Sequence, residues 1–385
     1  MQPRHTRLKE PLVHLTKRET PGFAASMLIR VAAFVLGMLV CGLVAFLLVG
    51  KLQKEPGRIW EFYNCFIKGS FSTERKLWSF LKNIAVLLCI ALALTPAFRM
   101  RFWNIGAEGQ TLMGVLAAIA VNFYLGGKYN PAVRWPEWSL LVLMLAAALL
   151  AGAVWGLIPA LFKAVWNTNE TLFTLMMNYV AMFLVSYCLI KWVPSGSSSL
   201  GKLSSGKFPT VFTGLSKPAY SDYLVIILIV LAATALIYIY LNYTKHGYEI
   251  SVVGESVRTA RYVGISVKKV IIRTMIVSGL LCGLAGYLIG AGLDRSVTTD
   301  SVGGQGFTAI MVAWLAKFDP LMMILTAGVI IFLNQGADQI STSFEISGAL
   351  PNVIIGIVLF FIIGSEFFIN YKLNFRKREP KEAVR

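Results

Sequence analysis

Apolar runs of roughly 20 residues, separated by short polar stretches, repeat along the whole chain. They fall at about 26–50, 77–97, 103–125, 138–163, 171–193, 223–243, 270–293 and 348–370, and a helix of that length spans the roughly 30 Å hydrocarbon core of a bilayer. Between the last two runs, GFTAIMVAWLAKFDPLMMILTAGVIIFLNQ is interrupted by Lys317, Asp319 and Pro320. That break predicts a short helix followed by a longer one, a broken helix near 307–334. The expected fold is all-α: a polytopic integral membrane protein of about ten transmembrane helices.

The run RFWNIGAEGQTLMGV, Arg101 to Val115, is polar where lipid should be. Read as one helix, it places Asn104 and Glu108 four residues apart on a shared face, with Gly106 and Gly109 allowing close approach and Gln110 elsewhere on the same turn. A carboxylate at the bilayer centre costs about 2.5–3.5 kcal/mol on insertion scales, so Glu108 is expected to face protein or a water-filled cavity. Two roles fit: lining a solute path, or bonding neighbouring helices. Arg99 and Arg101 pull the motif toward the inner mouth unless the helices are broken or tilted.

Further polar candidates lie elsewhere. Asn169, Glu170 and Asn178 open the fifth span; Asn169 suits a helix N-cap as well as a site, and Asn178 suits a path wall as well as helix packing. Gln305 and Thr308 stand at the start of the short helix near Gly306, where backbone N–H groups are free to meet polar ligand atoms. Asn334 and Gln335, at the end of the following helix, need only a cap or water. Gly279, Gly283, Gly286 and Gly290 stripe one helix at small-xxx-small spacing, which predicts close helix packing or, alternatively, a substrate-facing groove.

Composition narrows the class. With 56% hydrophobic and 14% charged residues and a mean hydropathy of +0.67, the chain is no soluble globular protein. Its net charge of +17 collects in basic tails at 1–25 and 371–385 and in the loop 242–269. The positive-inside bias puts these in the cytoplasm with both termini, and accounts for the charge without nucleic acid. The Ser/Gly-rich segment 194–222 falls outside and is expected to be mobile. The five cysteines are dispersed and none has metal-ligand spacing, so neither a disulfide framework, a metal nor another cofactor is expected. GSSSLGKL and GKLSSGKF imitate a phosphate-binding loop, but Leu203 and Phe208 stand where Ser or Thr would hold magnesium and no strand precedes them. No catalytic constellation appears, and an intramembrane enzyme is not expected.

FWNIGAEGQ resembles the FNIGAEGQ signature of permease subunits of ATP-binding-cassette importers, in the branch that handles nucleosides and simple sugars. NETLFTLMMNYVA (169–181) resembles that branch's second signature, and GYEISVVGESVRTARYVGIS (247–266) its cytoplasmic loop. The resemblance implies a permease domain over 26–370 in the cell membrane. It also implies a cytoplasmic ATPase, a second, related permease subunit and an external solute-binding protein that delivers a small solute. The loop 242–269 then carries the contact to the ATPase through Gly254, Glu255, Arg258, Arg261 and Gly264, with Val252, Val253 and Val257 on one side of a short helix between the two glycines. Glu255 departs from the Asn common there. The path candidates are Asn104, Glu108, Gln110, Asn178, Gln305 and Thr308. The cargo is a nucleoside or a simple sugar, and a secondary transporter or channel driven by an ion gradient is the rival of another class.

Overall fold

The computed structural model describes residues 13–17, 22–48, 57, 59–193, 196, 198–208, 218–345 and 349–375. Thirteen α-helices follow in order: α1 Phe23–Leu48, α2 Ile59–Phe71, α3 Glu74–Arg99, α4 Ala107–Leu125, α5 Glu137–Trp166, α6 Glu170–Trp192, α7 Pro218–Tyr243, α8 Lys245–Glu255, α9 Val257–Tyr262, α10 Val267–Tyr287, α11 Gln305–Leu315, α12 Pro320–Phe344 and α13 Ala349–Asn370. A π-helical turn, Leu288–Asp294, extends α10. Eight of these are long and apolar enough to cross a membrane: α1, α3, α5, α6, α7, α10 with its extension, α12 and α13. The sequence count of about ten adds α4, whose interior carries Glu108, Gln110 and Asn122, and the 11-residue α11. The protein is a polytopic all-α membrane protein, and its broken helix falls at 316–319, where Asp319 caps α12 (Leu321 N to Asp319 Oδ1, 2.9 Å) and Pro320 takes the first helical position.

The chain divides into two compact units, 70–332 and the remainder. In the first, α4, α5 and α10 form the packed centre. The glycine stripe explains the closeness: a Cβ on Gly279 would run into the backbone of Gly152, one on Gly283 into Ala148, and one on Gly286 into Thr111 and Gly114. Gly290 sits at ordinary distance from Val115 and Ile119. Backbone against backbone is how helices associate where lipid gives no hydrophobic drive, so the stripe is a packing surface and not a groove.

The polar ends of this unit sort into two sets. At one end, Trp78 of α3 stacks on Tyr220 of α7, Lys82 lies 5.4 Å from the Tyr223 ring, and Leu203 N donates to Arg295 O at 2.8 Å. The segment 198–208 is seated here: Leu203 and Phe208 are buried, Ser205 Oγ bonds Asn122 Oδ1 and Gly126 O at 2.8 Å each, and Gly206 N donates to Glu137 at 2.8 Å. The expectation of a mobile loop is corrected for these residues, because Asn122, buried near the end of α4, takes its partners from them. Helix α7 also begins earlier than its apolar run, at Pro218. At the opposite end, Arg99 of α3 meets Asn242 of α7, Lys163 pairs with Glu170 at 2.8 Å, and Glu249 pairs with Arg273 at 2.8 Å.

The other unit holds α1, α13, most of α2 and the second half of α12. Gly37 packs on Val358 and Phe361, Cys41 Sγ bonds Ile354 O at 3.4 Å, and Arg30 pairs with Glu366 at 3.3 Å. Near the ends of the chain, β1 (Val13–Lys17) pairs antiparallel with β2 (Tyr371–Phe375), Val13 opposite Phe375. Between the first two apolar runs the chain is helical from Ile59 to Phe71, with Phe62 and Phe66 buried on one face.

Candidate functional site

The signature stretch is not one helix. Residues 100–106 return from the end of α3 as irregular chain, and α4 begins at Ala107. Asn104 therefore lies before the helix, and the helix face predicted to hold both Asn104 and Glu108 does not exist. Gly109 presses against Asn178 of α6, where a Cβ would collide, and Gly106 sits tightly against Thr174 of the same helix.

The amides form a closed network. Asn104, fully buried, donates through Nδ2 to Ser278 Oγ (3.2 Å) and Gln110 Oε1 (3.3 Å), and its Oδ1 accepts from Gly106 N (3.0 Å) and Gln110 Nε2 (3.2 Å). Asn178 accepts from Gly109 N at 2.9 Å and donates to Ile105 O at 3.0 Å, while Thr174 Oγ accepts from Ile105 N at 3.1 Å. These side chains tie α4, α6 and α10 to the irregular segment, serving backbone groups that no helix satisfies.

Glu108 reaches across to the short helix α11. Its two carboxylate oxygens accept from Gly304 N (2.8 Å) and Gly306 N (2.7 Å), so it holds two otherwise orphaned donors at the helix start, where negative charge suits the dipole. Gly306 lies so close to Glu108 that a Cβ would overlap it. Thr308 Oγ turns back to Gly304 O at 3.3 Å, and Gln305 Oε1 is buried without a partner. Glu108, Gln305 and Thr308 are thus brought together, and Asn104, Gln110 and Asn178 stand behind them.

Depth follows from helix length. Eleven residues of α11 run about 16 Å from Gln305 to Leu315, and Ser278 stands about 16 Å along α10 from its basic start at Val267. Both place the network roughly half a hydrocarbon thickness in from the Arg99 end. The break that the anchoring arginines demanded is the irregular segment itself.

Sequence reasoning missed several residues of this site. Trp103 and Trp314 stack at 5.3 Å with both rings partly open to the surroundings, and Phe307, two turns from Trp314, is exposed on the same side of α11. Arg99 donates to Phe318 O through Nε (3.2 Å) and Nη2 (3.0 Å) and to Asn242 Oδ1 through Nη1 (3.2 Å). An arginine at the end of an apolar run reads as an interface anchor, and nothing in sequence spacing links residue 99 to 318. A shallow apolar recess on α6 is lined by Asn169, Leu172, Phe173, Met176, Met177 and Val180. Asn169 itself caps α6, accepting from Thr171 N at 3.1 Å and Leu172 N at 3.3 Å.

The 242–269 segment also differs from the single helix expected. Thr244 caps α8, Ser256 ends it and caps α9, and Gly264 follows with φ +85°. Gly254 lies inside α8, buried against the backbone oxygen of Arg99, and does not bracket a helix. Val253 is buried while Val257 is exposed, so the three valines share no face. Glu255, Arg258, Arg261 and Gly264 are all exposed, as are Tyr248 and Tyr262. Among the described residues, no group of three or more His, Cys, Asp or Glu could hold a metal ion.

The chain is 30% identical over 325 residues to the glucose ABC transporter permease protein TsgB13 of Haloferax volcanii, covering 81% of this chain and 82% of that one. It is 28% identical over 341 residues to the guanosine ABC transporter permease protein NupP of Bacillus subtilis (88% and 93%). It is also 27% identical over 314 residues to the nucleoside ABC transporter permease protein NupB of Lactococcus lactis (79% and 83%). Residues 77–363, from the start of α3 into α13, match the family described as the branched-chain amino acid transport system permease component, and the chain belongs to that family of transport permease subunits.

Proposed function

We propose that this chain is the membrane subunit of an ATP-driven importer that carries a nucleoside or a related small polar solute inward. The observation that carries the reading is the pairing of two features within one unit. One is an exposed basic and aromatic face on α8 and α9 (Tyr248, Arg258, Arg261, Tyr262); the other is a part-buried cluster of Glu108, Gln305 and Thr308 at the start of α11, whose open side carries Phe307 and, two turns on, Trp314 stacked on Trp103. An aromatic wall suits a heterocyclic base, and a carboxylate and amide suit ribose hydroxyls. Two of the three relatives are named for guanosine or nucleoside transport, which favours the base-bearing cargo over a simple sugar. Asn104, Gln110 and Asn178 position this cluster and do not touch the solute.

The exposed α8–α9 face is the seat of a separate cytoplasmic ATPase. The termini then share the cytoplasmic side with it, and the 198–208 segment faces the exterior, where a solute-binding protein delivers the cargo to a pore completed by a second permease subunit. Transport follows alternating access around the central cluster. The test is reconstitution of the complex in liposomes, with guanosine and glucose offered inside and outside. ATP-dependent uptake of nucleoside, absent when the ATPase is left out, supports the reading; uptake by this chain alone, driven by an ion gradient, overturns it.

A further inference from the structure

Helix α11 is lashed to the signature stretch at three heights. At its start Glu108 holds Gly304 N and Gly306 N; two turns on from Phe307, Trp314 stacks on Trp103; past its end, Arg99 holds Phe318 O. Residues 99–108 run away from the Arg99 end while 304–318 run back toward it, so the two form a ladder with rungs 108–304/306, 103–314 and 99–318. The upper rung matches the helix dipole in sign, with a carboxylate at the N-terminal donors of α11. Lys317 and Phe318 both adopt left-handed backbone conformations (φ 51° and 60°), a geometry that non-glycine residues keep only where surrounding contacts fix it. Arg99 supplies such a contact by gripping the carbonyl between them and the cap of α12.

The foot of the ladder touches α8. The backbone oxygen of Arg99 is the atom against which Gly254 packs, with no room for a Cβ, and the guanidinium reaches Asn242 at the end of α7, two residues before α8 is capped. One residue thus meets α8 with its backbone, and both α7 and the α11–α12 turn with its side chain. A displacement of α8 cannot be absorbed at Gly254, where backbone meets backbone, and passes into residue 99.

We propose that Arg99 is the positioning residue that transmits movement of α8 to α11, so that α11 and residues 99–108 shift as one body and carry Glu108 and Gln305 with them. This inference rests on the import reading above. Without the Arg99 side chain, α8 still meets its ATPase but the lower end of α11 is released, and ATP is spent without moving the solute site.

The experiment uses the full complex in liposomes and reads solute taken up per ATP hydrolysed. In Arg99→Ala, uptake is expected to fall at least about tenfold while ATP hydrolysis stays within about twofold of wild type, so the ratio collapses. Arg99→Lys retains the charge but cannot bridge Phe318 and Asn242 together, and its ratio should lie between. A purely structural role predicts less assembled complex with an unchanged ratio per complex, and that result, in either variant, overturns the proposal. If Arg99→Ala fails to accumulate, Arg99→Lys decides by the same ratio. Failure of the wild-type complex to couple uptake to ATP removes the import reading itself, an outcome distinct from a normal wild type with unaffected variants.

Discussion

The glycine-faced bundle of α4, α5 and α10 and the ladder of α11 lie in the same unit and are built on opposite principles. In the bundle, backbone meets backbone along the whole stripe from Gly279 to Gly286, and no helix can slide without colliding. In the ladder, contact with residues 99–108 is concentrated at three rungs, one of them with Gly306 pressed on the backbone of Glu108, and the outward face of α11 is open at Phe307 and Trp314. Continuous contact makes a frame; point contact makes a part that moves as a body against it. The comparison teaches where motion can enter a protein whose helices are otherwise close-packed.

The comparison is broken most strongly at the bundle. Gly283→Leu puts a side chain into the backbone of Ala148 and Leu149, and overpacking of this kind is expected to cost about 3 kcal/mol or more, read as loss of monodisperse protein after detergent extraction. Next is the network that joins bundle to ladder. Asn178→Ala strands Gly109 N and Ile105 O in a buried place, for an expected loss of about 2 kcal/mol in thermal unfolding; retention of wild-type stability would mean that water replaces the amide.

Within the ladder the effects should be functional and not global. Glu108→Gln retains one acceptor for α11 and loses the other together with the charge, so assembly should persist while uptake per complex falls about tenfold, equivalent to about 1.4 kcal/mol. Normal uptake with poor assembly would assign Glu108 to the frame. The mildest test leaves both regions intact: single cysteines at Ser198 and Thr259, in a background without native cysteines, should react with an impermeant reagent from opposite sides of the membrane. Reaction from one side alone contradicts the assignment of their ends to opposite faces.

Much of this division was legible in the sequence, for definite reasons. Apolar run length sets the spans because lipid forbids unsatisfied backbone, and the Lys317–Pro320 break announces itself by charge and a missing donor. Small-xxx-small spacing disclosed the bundle. The start of α4 was hidden, because Ile105 and Ala107 continue an apolar pattern while the chain there is extended and held by Thr174 and Asn178 from 70 residues away. The same non-locality concealed Arg99, the partners of Asn122 and the seating of 198–208. Ser256, a residue type suited to an N-cap, splits α8 from α9 by accepting from Thr259 N.

The pairing of α1 with α13 has a consequence for biogenesis. Helix α1 leaves the ribosome before α13, with more than 300 residues synthesised between Arg30 and its counter-ion Glu366. Through that interval Arg30 faces the insertion machinery or lipid without its carboxylate, and Gly37 and Cys41 lack the surface they later meet. Only when Ala349–Asn370 has entered do the two helices close and the strands Val13–Lys17 and Tyr371–Phe375 zip together. The ribbon therefore forms only after α13 has been made, and chains cut short before α13 leave Arg30 without its counter-ion while α1 still meets Tyr63 of α2.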